Sequence, residues 1–267
     1  LLVFMHISRK NFKLIKKLSK FSYSIFFLNN YPDTRSFFRQ YLSFCYHQLL
    51  YFLFNINYPQ KVYFTGRKVS YYQLFPRSSK TKYLYFYSSD YLKFKKDKNK
   101  NIYKKKYFVF IDDMYPIHSD LEGKKIIDRK YYYDEINKFL KRVSNDYNIK
   151  CIVCAHPRSH KGYEKNFCFD VFFNKTSTLI KYSEFVLGHS STAYSFGLFS
   201  YKPIVVTMFK SQLNIYYGKL AKAMSTEMNV NFHIIDGNKN FFIKEVDKES
   251  YKKYMNNYHL KTIIDEN

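Results

Sequence analysis

Three short polar clusters carry the residue types that acid–base and phosphate chemistry needs: Asp112-Asp113, His156-Pro157-Arg158 and Gly188-His189-Ser190-Ser191-Thr192. A phosphate leaving a carbon atom needs its charge neutralised and a proton or hydrogen bond at the departing oxygen. Arg158, a permanent cation, can supply the first and His156 the second. A carboxylate at Asp112 or Asp113 can take the proton of an attacking hydroxyl. In the third cluster Gly188 allows a sharp turn and a close approach of a ligand. Ser190 or Ser191 is placed to cap a helix, and its free N–H groups and the hydroxyls would cradle phosphate oxygens. Each cluster also has an ordinary structural reading. Asp is common in turns, Ser and Thr are frequent N-caps that bind nothing, and Lys161 and Lys165 would suit a solvated loop after His156.

What could gather the clusters is a pattern of short buried strands alternating with helices. Apolar runs predict strands at 107–111, 149–155, 168–173, 185–188, 203–208 and 231–235. Tyr132, Ile136, Phe139, Leu140, Val143 and Tyr147 recur at helical spacing over 130–147, and shorter helices are predicted at 177–183, 191–200, 211–224 and 247–260. Alternation of this kind implies parallel pairing with right-handed crossovers, a doubly wound α/β domain. In such a sheet ligands bind outside the carboxyl ends of the strands. The three clusters follow the strands at 107–111, 149–155 and 185–188, so they are expected on one edge of one sheet.

Before residue 100 the pattern is weaker. Helices are predicted around 8–28 and 34–56, and strands near 61–65 and 83–88. The run KFKKDKNKNIYKKK (93–106) has no apolar stripe and reads as a solvated linker. From Gln40 to Gln60 there is no charged residue, but Gln40, His47, Gln48, Asn55 and Asn57 would be costly in lipid, which favours a buried or interfacial amphipathic helix over a membrane span. The chain begins at Leu1, which suggests that its first domain is incomplete. No signal peptide is legible there.

Forty-five Lys and Arg against 21 Asp and Glu give a net charge of +24, compatible with a nucleic acid, a membrane surface or a phosphorylated small molecule. A/T-rich codons would produce the same abundance of Lys, Asn, Ile, Tyr and Phe, so charge alone assigns no partner. Cys45, Cys151, Cys154 and Cys168 are too few for a disulfide framework and suggest a reducing compartment. Cys151 and Cys154 would point to opposite faces of a strand. That opposes both a redox pair and a zinc site with His156 and Cys168, and leaves buried inert thiols.

Taken together, CIVCAHPR…TSTLIKYSEFVLGHSSTAYSFGLFSYKPIVV resembles the donor-binding half of bacterial surface-polysaccharide glycosyltransferases of the GT-B type. It is similar in particular to the sialyltransferase and polysialyltransferase groups and to capsule Kdo-transferase-like proteins. The resemblance covers roughly residues 107–236. It implies that His156 and Pro157 form the His-Pro motif that assists departure of the nucleotide phosphate, with Arg158 beside it. It likewise implies that Gly188, His189, Ser190, Ser191 and Thr192 form the phosphate-binding loop. Asp112 and Asp113 match the acidic motif that holds the catalytic base, with Met114 where those families often place Gly.

The implied fold is GT-B-like α/β. A Rossmann-like, doubly wound parallel-sheet C-terminal domain over 107–267 would bind the nucleotide sugar, behind a short acceptor-side N-terminal domain over 1–100. The implied activity is metal-independent transfer of a sugar from a nucleotide-sugar donor, CMP-linked by preference, to a capsule or lipopolysaccharide glycan. No cofactor and no metal are expected, because the adjacent Asp112 and Asp113 lack the spacer of a DxD motif. The expected partners are the donor, a glycan or lipid-linked glycan acceptor and an anionic inner membrane surface, with no nucleic acid and a cytoplasmic location. Two other readings compete. An α/β serine hydrolase would use Ser190 at a strand-to-helix turn with His233 later in the chain, although Thr192 replaces the second Gly of its motif. A nucleic-acid-binding protein would use the Lys/Tyr-rich surface, although the charge is scattered and no known motif appears.

Overall fold

The computed structural model describes residues 2–4, 17, 20, 24–27, 32, 37–66, 81–117, 127–237 and 240–260. The chain divides into two compact units, Leu1–Ser89 with Lys253–Asn267, and Asp90–Lys252.

The first unit contains β1 (Leu2–Phe4), β2 (Ser24–Phe27), α1 (Phe37–Leu53), β3 (Lys61–Thr65) and β4 (Lys82–Phe86). Its four strands form a parallel sheet in the order β1-β2-β3-β4. β2 corrects part of the predicted helix at 8–28: Ile25 and Phe26 pair with Val62 and Tyr63 of β3. Partnership with a strand whose Val62 and Phe64 are buried outweighs a weak helical spacing. Most of the remainder of that predicted helix lies outside the described residues. The helix predicted at 34–56 and the strands predicted near 61–65 and 83–88 correspond to α1, β3 and β4. No helix among the described residues is long and apolar enough to cross a membrane.

The second unit follows the alternation read from the sequence. Helix α2 (Ser89–Lys96) begins at the boundary and is followed by β5 (Tyr107–Ile111), α3 (Arg129–Tyr147), β6 (Lys150–Cys154) and β7 (Asp170–Phe172). Then come α4 (Thr176–Tyr182), β8 (Val186–Gly188), α5 (Tyr194–Phe199), β9 (Ile204–Met208), α6 (Tyr216–Met228), β10 (Asn231–Ile234) and α7 (Lys248–Tyr258), which begins in this unit and ends in the first. All six strands are parallel, in the order β10-β9-β8-β5-β6-β7. Counted within the unit and read from β7, this is 3-2-1-4-5-6, the doubly wound order of dinucleotide-binding domains. Its topological switch point lies between β5 and β8. Every residue of β5 and β9 is buried, as expected of central parallel strands covered on both faces.

Two local features position the site. Asp128 caps α3, its carboxylate accepting from the Tyr131 N–H at 2.8 Å, and the helix buries Tyr132, Tyr133, Ile136, Phe139, Leu140 and Val143. Gly197 lets α5 lie close to β9, since a Cβ there would sit 3.0 Å from Ile204 Cδ1. The predicted linker at 93–106 is also more ordered than a solvated run. Lys93 to Lys96 belong to α2, where Tyr91 and Phe94 pack on Phe199, both with ring centroids 5.3 Å away. Beyond it, Asp97 accepts from the Thr178 hydroxyl at 2.9 Å and the Asn99 carbonyl accepts from the Tyr182 hydroxyl at 3.2 Å, which ties the chain to α4.

Candidate functional site

Ile111, the last residue of β5, pairs with Cys154, the last of β6, and with Gly188, the last of β8. The three polar clusters therefore leave the sheet at one level, from three adjacent strands, on both sides of the switch point. With neighbouring strands about 4.8 Å apart, the His156 and Ser190 loops start roughly 10 Å apart, with the two aspartates between them.

The aspartates lean in different directions. Asp112 is buried, and its Oδ2 accepts a 2.5 Å hydrogen bond from the Tyr163 hydroxyl, which in turn contacts the Tyr133 hydroxyl at 2.7 Å. Its Oδ1 has no hydrogen-bond partner among the described residues. Burial pushes this carboxyl up to about 7; the Tyr163 hydroxyl opposes the rise and the Asp113 charge adds to it. Asp113 is half-buried, and its Oδ2 accepts from the Ser190 N–H at 3.0 Å. Desolvation by the surrounding protein raises its carboxyl to about 6, against the Ser190 N–H and the Ser191 hydroxyl, which favour the charged form. Asp112 is thus sealed into the fold, while Asp113 is the carboxyl a ligand can meet.

Met114, which follows them, has a φ of +51°, in the left-handed region where a side chain costs about 1–2 kcal/mol. The similar families often place Gly at this position. Met114 keeps the backbone turn that a glycine would adopt without strain, and it buries its side chain there.

The loop after β8 is built differently from the expectation. Helix α5 begins only at Tyr194, with Ala193 as its N-cap and no side-chain capping bond. Ser191 instead takes part in a turn: its Oγ accepts from the Ala193 N–H at 3.4 Å and its carbonyl accepts from the Tyr194 N–H at 3.4 Å. The capped-helix anion site predicted from Ser190 or Ser191 is not present in that form. What the loop offers is a set of hydroxyls, with Ser190 and Ser191 half-buried and Thr192 exposed. Gly188 is needed for close approach, since a Cβ there would meet the Tyr194 hydroxyl at 3.1 Å and Ile111 at 3.2 Å.

His189 requires a correction. It is completely buried, and both ring nitrogens are engaged within the fold. Nδ1 lies 2.9 Å from the Thr207 carbonyl, which can only accept, so Nδ1 carries the proton. Nε2 then accepts from the Tyr132 hydroxyl at 2.8 Å. The Thr207 hydroxyl closes the loop by donating to the Gly188 carbonyl at 2.8 Å. Burial lowers the imidazole to about 4, so it stays neutral. His189 holds the Gly188–Ser191 loop to β9 and α3; it offers no side-chain group to a phosphate.

After β6, His156 is half-buried while Pro157 and Arg158 are exposed. The His156 Nδ1 accepts from the Arg158 N–H at 3.2 Å, leaving the proton of the neutral ring on Nε2. The turn is closed by the Ser159 N–H and hydroxyl, which both donate to the His156 carbonyl, at 2.9 and 2.6 Å. The neutral ring therefore carries its donor hydrogen on Nε2, in a loop that also holds the exposed Arg158.

Elsewhere the alternatives lose their geometry. His233 is buried in β10, two strands from β8, stacked on Phe139 at 5.3 Å and edge-on to Phe241 at 5.4 Å, so no Ser190–His233 pair is assembled. Cys151 and Cys154 are buried with thiols pushed upward by desolvation, the latter to about 12, while Cys168 is exposed and meets Asn137. The residues that hold the site but went unread in the sequence are Tyr132, Tyr163 and Thr207. Tyr132 was visible only as one member of the apolar stripe of α3, and nothing in the loop around Tyr163 marks its contact with Asp112.

No family model matches the sequence, and no curated protein matches it. Among solved structures, S. aureus MnaA, determined with UDP, is similar with a TM-score of 0.48 and 12% identity, over 94% of this chain and 63% of that one. The glycosyltransferase SnogD from Streptomyces nogalater gives a TM-score of 0.41 and 11% identity, over 78% and 55%. The UDP-GlcNAc 2-epimerase of Methanocaldococcus jannaschii, determined with UDP-GlcNAc and UDP, gives 0.40 and 12%, over 91% and 94%. The chain spans less than two thirds of the length of the first two.

Proposed function

We propose that the chain is a metal-independent glycosyltransferase of the GT-B type. It moves a sugar from a nucleotide-sugar donor to a hydroxyl of a bacterial surface glycan, capsule or lipopolysaccharide. The sequence resemblance to sialyltransferase groups favours CMP as the nucleotide. The observation that carries the reading is the hydrogen bond from the Ser190 amide to Asp113, which joins the acidic cluster to the hydroxyl cluster at the switch point of a doubly wound sheet, beside the His156 loop.

In this reading Asp113, ionised above its raised value of about 6, takes the proton of the acceptor hydroxyl. The acceptor oxygen bonds to the anomeric carbon as the bond from that carbon to the phosphate oxygen breaks. His156 Nε2–H donates to the departing oxygen, Arg158 balances its charge, and the Ser191 and Thr192 hydroxyls hold the remaining phosphate oxygens. Asp112 acts from behind: its buried carboxyl fixes the turn through Tyr163.

A panel of CMP-, UDP- and GDP-sugars, assayed for nucleotide release in the presence of bacterial capsule and lipopolysaccharide fractions, tests the proposal. CMP release that requires the glycan, and falls by about 10²–10⁴ in Asp113→Asn, is the expected result. Release that is glycan-independent, or unchanged in Asp113→Asn, would overturn it.

A further inference from the structure

Among the described side chains of helix α1, Tyr51 is buried and a row of large apolar residues is not. Tyr51 is 3% exposed, whereas Leu42, Leu49 and Leu53 are 50%, 53% and 62% exposed and Phe52 is 83% exposed. At about 100° per residue, Leu42, Leu49 and Leu53 fall in one narrow stripe, Phe52 flanks it, and Tyr51 lies on the opposite side. Tyr46, 44% exposed, continues the stripe. Large apolar side chains aligned and exposed in this way are a surface built for contact, since isolated exposed leucines would not line up.

Charge indicates what the contact is with. Residues 1–89 contain fourteen Lys and Arg (9, 10, 13, 16, 17, 20, 35, 39, 61, 67, 68, 77, 80 and 82) and a single acid, Asp33. Between Gln40 and Gln60 there is no charge at all, so the apolar stripe is interrupted by neither sign. Lys61 and Lys82, paired in register at the starts of β3 and β4, are both exposed. A/T-rich codons account for many lysines but not for the near absence of acids, since residues 90–252 of the same chain carry eighteen. An uncharged apolar helix face within an 89-residue stretch that carries one acid is complementary to a surface of negative headgroups over an apolar interior. A second copy of this chain is disfavoured by the same charges, which would repel.

We infer that α1 docks in the plane of an anionic lipid bilayer, with Leu42, Leu49, Phe52 and Leu53 entering the acyl boundary and the excess positive charge of residues 1–89 drawing the chain to the headgroups. The inference does not rest on the transferase reading, and its test uses no nucleotide and no glycan. The full chain is floated with vesicles of phosphatidylcholine alone and with vesicles that also contain phosphatidylglycerol. Binding to the second kind only is expected, reduced but not abolished by salt, with Leu49→Glu/Leu53→Glu lowering the partition by about tenfold or more. The chain has no Trp, so Phe52→Trp adds a single reporter at a position open to solvent, and its emission should shift to the blue on adding the anionic vesicles. A wild type that binds neither vesicle, a double variant that binds equally, or an unshifted emission would each overturn the inference. So would sedimentation showing a wild-type dimer that the double variant dissolves, which would assign the face to a second copy.

Discussion

Replacing Asp112 by Asn should change how stability depends on pH, and no substrate is needed to see it. The wild-type carboxyl is buried, with one oxygen on Tyr163, and moves from 3.8 to about 7 on folding. The folded state therefore binds more protons than the unfolded state between about pH 4 and 7. Stability contributed at Asp112 is fully present at the acid end of that window and is lost as the pH rises through 7. The displacement corresponds to about 4 kcal/mol above pH 7, an upper bound because Asp113 shares the local charge. The carboxamide introduced by Asp112→Asn would still accept from the Tyr163 hydroxyl and has no charged form. Relative to wild type, Asp112→Asn should therefore gain up to about 4 kcal/mol between pH 4 and pH 8. Its profile should be shallower without being flat, since Asp113, raised to about 6, contributes with the same sign in both proteins. Urea unfolding at a series of pH values measures the difference. Parallel profiles would mean that Asp112 is ionised at an ordinary value, and the buried-carboxyl account of the site would fail.

Other expectations follow from the same geometry. Tyr132→Phe leaves the His189 Nε2 buried without its donor and should cost about 1–3 kcal/mol in thermal or urea unfolding; no loss would remove the network that holds the Ser190 loop. At Met114, Gly and Ala both remove the buried side chain but only Gly relieves the left-handed strain, so Met114→Gly should be more stable than Met114→Ala by about 1 kcal/mol; equal stabilities would show that the φ of +51° does not matter. In native protein Ellman's reagent should titrate only Cys45 and Cys168, with Cys151 and Cys154 joining in denaturant; a fast-reacting third thiol would contradict the burial of β6.

The second unit was largely legible because its strands are short apolar runs with punctuated ends. The predicted strand at 107–111 coincides with β5, and those at 149–155, 203–208 and 231–235 differ from β6, β9 and β10 by a residue or two. Helix α3 was readable from its stripe down to Tyr147. Register was not readable, yet it is register that sets Asp113 against Ser190. Errors came where local signals conflicted with packing. Ser190 and Ser191 look like helix caps, but the helix waits until Tyr194, because the intervening turn satisfies itself. His189 looks like part of a polar loop, and only the fold reveals that Thr207 and Tyr132 claim both its nitrogens. Helix α2 was hidden by its lysines, whose neighbours Tyr91 and Phe94 make the contact that orders it. In the first unit the segment of β2 reads as the end of a helix, and its pairing with β3 makes it a strand.

The proposed transfer requires the His156 loop and the Ser190–Ser191 loop to hold one nucleotide phosphate between them. Thermal-shift titration with CMP, CDP, UDP and GDP, of wild type and of His156→Ala and Ser191→Ala, measures this. One of these nucleotides, CMP first, should stabilise the wild type, with each variant losing most of the shift while its own unliganded melting temperature stays close to that of wild type. Binding that survives both substitutions, or no response of the wild type to any of the four, would contradict it.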